Sequence, residues 1–402
     1  MNHSLIRLTL LLGWFFFSSV NGENWPQWRG PNGLGVSAET NLPTTWDSGT
    51  NVLWNVSLSM RSHSSAVTWK EKIFVTGSSE NGSKRILLCL NKNDGSELWK
   101  REVVYGGEEP TEKDNGYCTA TPVTDGKHVL AYYGSAGAYC YDMKGTLVWS
   151  HDFGEFFHIW GSATSPIIDQ GIAYLYCGPA FEDRLVAVEV KSGKILWEKN
   201  YVNAGWSTPL MISVAQHREL VLCSAGRVKA FNPLSGDLLW YIRGQKSISV
   251  ASPLWNQKLL FTQTGNPNKL IAIRPGGTKN VTSSHIEWQA SGAPHIPSGV
   301  IYNHYIFMVN GDGIAVCLNA KNGDTLSRRR LQGRFRCSLV AGDNKLYITN
   351  RSGETYVLKA TPEMTIIGIN PLPGIDFQAT PALVDGRLYI RGEDQLYCVG
   401  NR

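Results

Sequence analysis

The 402-residue chain lacks the short motifs that mark the common enzyme classes. It contains no CxxC pair, no adjacent cysteines and no cysteine–histidine spacing suited to zinc. It also lacks a G-x-S-x-G nucleophile elbow, an HExxH sequence, a P-loop and a G-x-G-x-x-G turn between a strand and a helix. No pair of carboxylates can be assigned to glycoside hydrolysis from sequence alone. The sequence therefore nominates no catalytic residue and no metal ligand.

The chain also has little net charge and few long apolar runs. Lysine and arginine number 38 against 33 aspartate and glutamate, a net charge of +5 that gives little support to nucleic-acid or membrane-surface binding. One apolar run, Leu8–Phe17, follows Arg7 and precedes small residues that end at Gly22. This pattern predicts a secretory signal peptide cut before Glu23, and the run is too short for a typical membrane span. We expect an exported chain, periplasmic or secreted, without a transmembrane span after cleavage; an uncleaved anchor stays the alternative.

All eight cysteines follow the signal segment, and an exported protein could pair them as disulfides. However, Cys89, Cys140 and Cys317 occupy a strand position that Ala187 and Ala230 hold in related repeats. Cysteine at such a position behaves as a small buried hydrophobic residue. The repeat therefore favours unpaired cysteines, and a disulfide stays open.

Glycine and tryptophan are abundant, at 41 and 14 residues, and many of them belong to a repeat. A short apolar strand leads into a turn glycine, and a tryptophan follows four residues later; one degraded copy has Ser327 instead. A large ring at a fixed position in each outer strand can pack against the neighbouring repeat. We assign this structural docking role to Trp54, Trp99, Trp149, Trp197, Trp240 and Trp288.

A second motif repeats eight times and reads small residue, Ser or Thr, usually Pro, then an aliphatic residue. Turn signals such as Asp125-Gly126 and β-rich segments follow each copy. Units of about 45 residues with four short strands have the size of propeller blades. The hydroxyl residues are Ser65, Thr121, Ser165, Thr208, Ser252, Ser298, Ser338 and Thr380. The sequence predicts an all-β fold, an eight-bladed β-propeller of four-stranded antiparallel blades.

The two ends of the chain predict how the ring closes. The last unit stops after Leu396–Gly400, before its tryptophan strand, and 51–56 near the other end supplies a strand of that type. An N-terminal strand that completes the last blade leaves no long exposed edge. We therefore divide the chain into a signal peptide (1–22), an N-terminal extension packing on the propeller (23–50) and the propeller (51–402). Trp25 and Trp28 of the extension are expected to pack on the propeller, with partner binding as the alternative.

These repeats resemble the pyrroloquinoline-quinone-like (PQQ-like) β-propeller family over residues 24–402. The segment 24–33, followed by Leu53-Trp54, is similar to secreted single-domain members from planctomycete-type bacteria. The resemblance implies two classes of function. Quinoprotein dehydrogenases oxidise alcohols or sugars with PQQ and a calcium ion near the propeller axis. The other branch is the periplasmic propeller subunit of the machinery that assembles outer-membrane β-barrels, which binds protein segments without a cofactor.

The chain departs from both branches. It has no adjacent cysteines, little room for catalytic insertions between repeats, and only the single loop acids Asp114 and Asp376 as possible calcium ligands. It also lacks the lipid-bearing cysteine of the assembly subunit. We expect an exported, non-catalytic, monomeric propeller without cofactor that binds an envelope or secreted protein, or a small acidic or sugar ligand, through one face. The alternative is a small PQQ- and Ca-dependent oxidoreductase acting on alcohols or sugars.

The residues just before the hydroxyl motifs differ from repeat to repeat, so binding specificity could reside there. In a propeller they would surround the mouth of the central channel. Arginine together with aromatic side chains suits acidic peptide segments or carboxylate-bearing ligands. The candidate ligand-binding residues are Arg61, His63, Tyr117, Trp160, Trp206, His295, Arg334, Arg336 and Gln378.

Overall fold

Strand pairing divides the chain into eight separate sheets of four antiparallel strands each, one of which carries an additional short strand. The computed structural model describes residues 23–112, 114–178, 183–202, 205–244, 250–265 and 268–402, so the predicted signal segment lies outside it. Within these ranges helix is confined to the turn Thr282–His285 and the 3₁₀ turn Gly134–Ala136. The predicted all-β, eight-bladed propeller is confirmed.

Each blade is numbered in chain order, and its four strands run from the innermost to the outermost. Blades 1 to 4 comprise Val67–Trp69, Lys72–Ser78, Lys84–Asn91 and Glu97–Val104; Val123–Thr124, His128–Tyr132, Ala138–Asp142 and Leu147–His151; Ile167–Asp169, Ile172–Cys177, Arg184–Glu189 and Ile195–Asn200; and Leu210–Val214, His217–Ser224, Arg227–Phe231 and Leu238–Arg243. Blades 5 to 8 comprise Leu254–Trp255, Leu260–Gln263, Lys269–Ile273 and Ile286–Ser291; Val300–Tyr302, Tyr305–Val309, Ile314–Asn319 and Thr325–Arg330; Val340–Gly342, Lys345–Thr349, Glu354–Lys359 and Ile366–Pro371; and Ala382–Val384, Arg387–Arg391, Gln395–Gly400 and Val52–Ser57. The additional strand, Lys279–Asn280, pairs in parallel with the outer strand of blade 4.

The N-terminal strand closes the ring. Val52–Ser57 pairs antiparallel with Gln395–Gly400 and so becomes the outermost strand of blade 8, as the sequence predicts. Because neighbouring strands are antiparallel, the start of every first strand and the hairpin between the second and third strands lie on the same face. We call this the mouth face.

A small residue lies opposite each tryptophan of the repeat. Trp54 pairs with Cys398, Trp99 with Cys89, Trp149 with Cys140, Trp197 with Ala187, Trp240 with Ala230 and Trp288 with Ala272. Blade 7 reverses the sizes, since Val357 faces Gly368 there. All eight cysteines are buried and none forms a disulfide, in keeping with their interpretation as small buried hydrophobic residues.

The tryptophan and the turn glycine of the repeat meet across the boundary between blades. The indole N–H of Trp149 donates to the Val190 carbonyl in blade 3 at 2.7 Å, and that of Trp197 donates to the Pro233 carbonyl in blade 4 at 2.8 Å. A Cβ on Gly193 would lie 2.6 Å from the Trp149 ring, and its φ of 76° also disfavours other residues. Trp240 differs, because its N–H donates to Glu219 within its own blade.

Residues 24–46 of the extension contact the first strands of several blades and then the outer strand of blade 7. Trp25 exchanges two backbone hydrogen bonds with Thr68 of blade 1, and the Arg29 guanidinium donates to the Gly299 carbonyl of blade 6. Trp46 is buried among residues of blades 7 and 8. The Thr44 carbonyl lies where a side chain at Gly368 would be, so the extension takes the place of the missing blade 7 tryptophan. The domain limits themselves stay a prediction.

Candidate functional site

The eight hydroxyl residues of the second motif form one closed ring of hydrogen bonds around the propeller axis. In every blade the backbone N–H of the hydroxyl residue donates to the side-chain oxygen of the hydroxyl residue in the next blade, at 2.9–3.2 Å. The last bond runs from Thr380 N–H to Ser65 Oγ at 3.0 Å and closes the circle. These N–H groups precede the first strands and are buried, so each requires an acceptor. This requirement explains why the motif carries Ser or Thr.

A cavity of about 490 Å³ opens above this hydroxyl ring on the mouth face. Seven of the eight hydroxyl residues line its floor, and Ser252 instead lines a smaller cavity of about 100 Å³. Trp28 of the extension lines both cavities and therefore lies between them. The extension thus reaches the channel from one side, and the mouth cavity opens to the other.

One wall of the cavity is aromatic. The rings of Trp160 and Trp206 lie 5.5 Å apart, and His158 contacts Trp206 edge-on at 4.8 Å. Trp206 is nearly buried and donates its indole N–H to the Gly161 carbonyl at 2.7 Å, whereas Trp160 remains 47% exposed. Phe157 and Ile159, 70% and 63% exposed, continue this surface onto the rim. We call residues 157, 159 and 160 the apolar ridge.

The opposite wall of the cavity and the rim beside it carry a chain of polar contacts. Arg351 binds both carboxylate oxygens of Asp376, at 2.6 and 2.8 Å, and one oxygen of Asp114 at 2.9 Å. Arg336 reaches the second oxygen of Asp114 at 3.2 Å. Gln378 donates to Asp376 at 2.7 Å and lies 3.3 Å from His63 Nε2. We call these six side chains the polar network.

Burial and charge set the protonation of this network. Burial lowers the pKa of His63 to about 4, with Asp376 opposing the shift and Arg391 and Arg351 adding to it. His63 is therefore neutral at neutral pH, and its buried Nδ1 has no hydrogen-bond partner among the described residues. Burial alone would raise the pKa of Asp376, but hydrogen bonds from Arg351 and Gln378 outweigh it and lower that pKa.

A family model described as outer membrane protein assembly factor BamB matches residues 44–200, 83–302 and 137–366, together most of the chain. The chain belongs to this PQQ-like family. The BamB structure from Moraxella catarrhalis is 14% identical, with a TM-score of 0.63 over 87% of this chain and 96% of that one. The finer likeness to planctomycete-type members stays a prediction.

Solved structures of proteins with a different activity share this fold. The quinohemoprotein alcohol dehydrogenase of Comamonas testosteroni is 10% identical, with a TM-score of 0.70 over 94% of this chain and 81% of that one. A europium-containing methanol dehydrogenase is 8% identical, with a TM-score of 0.68 over 92% and 89%. At these identities the structures show the shared fold alone. No protein of curated function matches the sequence.

Within this propeller, six of the nine candidate ligand-binding residues line the mouth cavity. They are His63, Trp160, Trp206, His295, Arg336 and Gln378. The other three lie away from it: Arg61 is exposed beside Glu80 at 3.6 Å, Tyr117 packs under the Arg85 guanidinium at 4.7 Å, and Arg334 pairs with Asp312. Binding by the six stays a prediction, because position in the fold does not establish a ligand.

Two features of the site depart from the sequence analysis. Asp114 and Asp376 were expected to be single loop acids, yet Arg351 joins them. Arg351 itself was missed because it precedes no hydroxyl motif and lies in the hairpin between the second and third strands of blade 7. The antiparallel order of the strands could have predicted the position of Arg351, because it places every such hairpin on the mouth face. No helix in the described part of the chain is long and apolar enough to cross a membrane.

Proposed function

We propose that this protein is an exported, non-catalytic propeller that binds a protein partner or another cell-envelope component through its mouth face. The apolar ridge carries this proposal. Phe157, Ile159 and Trp160 are large hydrophobic residues that stay exposed within four positions of one connection. Contiguous exposed apolar surface of this kind marks interaction sites in soluble proteins. The ridge also continues into a cavity of ligand size.

The family supports the same function in general terms. Its model is described as an outer membrane protein assembly factor, a name that refers to the assembly of other proteins. The predicted signal segment agrees with periplasmic or secreted localisation. A closed ring of blades leaves the fold complete within one chain, which supports a monomer.

The quinoprotein alternative requires a calcium ion and PQQ near the axis, and the mouth residues do not fit that set. The two carboxylates of the polar network, Asp114 and Asp376, already bind Arg351. A cation there would have to displace a guanidinium held by three hydrogen bonds. Among the described residues no group of three His, Cys, Asp or Glu could hold a metal ion. We therefore propose that binding at the mouth uses no cofactor.

The test of partner binding is comparative capture from an envelope extract with the mature protein immobilised. Phe157→Ser combined with Trp160→Ser should abolish recovery of the proteins or glycans that the wild type retains. Leu234→Ser is the matched control, because Leu234 is about as exposed as Phe157 but lies in the turn between the third and fourth strands of blade 4, away from the mouth. Unchanged recovery by a folded ridge variant would remove the mouth face as the interface.

A second measurement tests the absence of catalysis. Purified protein is mixed with PQQ and Ca²⁺, and dye reduction is followed with alcohols and sugars as substrates. We expect neither saturable quinone binding nor dye reduction. Turnover that depends on both additions would replace the binding function with the oxidoreductase.

A further inference from the structure

We propose that the mouth cavity binds a neutral sugar unit, so that the envelope component recognised by this face is an uncharged glycan. The inference rests on the proposed mouth site and adds the chemical class of its ligand. Three observations carry it: the cations of the cavity are already paired, one wall presents an aromatic ring, and the floor presents hydroxyl groups.

The charges of the described wall are balanced within the protein. Arg336 and Arg351 both bind carboxylates, and Glu112 adds a further acid to the lining. His63 adds no charge at neutral pH. An anionic ligand would gain little from arginines that carboxylates already neutralise, and Asp114 and Glu112 in the lining would repel it. A neutral ligand leaves the polar network intact, so of the acidic and sugar ligands expected from the sequence we infer a neutral sugar.

The aromatic wall offers ring surface rather than a polar atom. The indole N–H of Trp206 already donates to the Gly161 carbonyl, so its polar edge is satisfied within the protein. Trp160 packs beside it and remains half-exposed at the cavity wall. The C–H face of a pyranose ring stacks on such a surface, because the ring is flat and apolar on that side while its hydroxyls point outward.

The floor matches the hydroxyls of such a ligand. Each oxygen of the hydroxyl ring accepts a backbone N–H and keeps its own hydrogen, for which no protein acceptor occurs among the described residues. A purely apolar side chain entering the cavity would leave these donors without water or partner, which is unfavourable. A sugar hydroxyl both accepts and donates, so it satisfies them without carrying charge. The cavity volume of about 490 Å³ lies within the range of small-ligand sites.

The test uses the full mature protein, without PQQ or added metal, in titration calorimetry. The probes are cellobiose and N,N′-diacetylchitobiose as neutral sugars and digalacturonate as the acidic counterpart. We expect at least one neutral disaccharide to bind, and Trp160→Ala to weaken it by roughly tenfold or more because the stacking surface is lost. Raising NaCl should change the affinity little, since no ligand charge is involved.

Leu234→Ala is the matched control for the sugar titration. Leu234 is 73% exposed but lies in the turn between the third and fourth strands of blade 4, away from the mouth, so this variant should bind sugar like the wild type. No neutral sugar binding up to about 10 mM, tighter binding of digalacturonate, or an unchanged affinity in Trp160→Ala would each overturn the inference. If sugars fail while ridge variants still lose a protein partner, the proposed function stands and the sugar inference falls. If sugars bind but ridge variants retain every partner, the ridge is not the interface.

Discussion

Removing one oxygen from the hydroxyl ring tests whether the ring stabilises the propeller. The Oγ1 of Thr121 accepts the Ser65 N–H at 2.9 Å, and both residues are about 2% exposed. Thr121→Val keeps the shape of the side chain and leaves that N–H without an acceptor. A buried donor that loses its partner costs about 1–3 kcal/mol. We therefore expect the free energy of unfolding to fall by about that amount.

Urea denaturation followed by tryptophan fluorescence measures this change, and two further variants define its cause. Thr121→Ser keeps the oxygen and introduces the residue that five other blades carry, and it should lose about 1 kcal/mol or less for the missing methyl group. Thr325→Val makes the same substitution on an exposed outer strand and should change stability by no more than about 0.5 kcal/mol. If Thr121→Val proves no less stable than Thr121→Ser, the ring bond contributes nothing and the reasoning is refuted.

Two further predictions concern the blade boundary and pH. Gly193→Ala should destabilise the protein by about 1–3 kcal/mol more than Gly171→Ala. Both glycines have positive φ, but only at Gly193 would the added Cβ lie against Trp149. Equal losses of stability in urea denaturation would contradict this close approach. Because the folded pKa of His63 is about 4 and its ordinary value is 6.5, the unfolded chain takes up the proton first as pH falls. Stability should decline by about 3 kcal/mol between pH 6.5 and 4, and His63→Gln should flatten this part of the curve in denaturation midpoints measured across that range.

The repeated parts of the fold were predictable because each blade meets the same physical demand. Every first strand needs an acceptor for a buried N–H near the axis. Each outer tryptophan has a small residue opposite, and each except Trp240 has a glycine against its ring. Blade 7 does not follow this pattern, because Gly368 occupies the position of the tryptophan. The extension supplies Thr44 and Trp46 at that boundary, and no local pattern links a segment near residue 45 to one more than 300 positions later.

The residues of the mouth were predictable only in part. Position before a hydroxyl motif places the backbone of a residue near the channel, but it does not determine the direction of the side chain. Arg61 turns outward to Glu80, while His63, two residues later, reaches the cavity. Arg351 belongs to a hairpin that the motif does not mark. Its contact with Asp114 joins residues 237 positions apart, and a repeat read from sequence carries no information about such a pair.

The hydroxyl ring and the side chains of the mouth belong to different parts of each blade, so binding and stability can be tested separately. The ring joins neighbouring blades through the backbone N–H of one blade and the side-chain hydroxyl of the next, whereas the polar network and the aromatic wall lie in connections between strands. Side chains in those connections can change while the hydroxyl ring and the tryptophan contacts persist, so a propeller of this family can acquire a new ligand without refolding. A substitution such as Trp160→Ala should therefore alter binding and leave the unfolding free energy nearly unchanged. A large loss of stability in that variant would show that the aromatic wall is part of the frame.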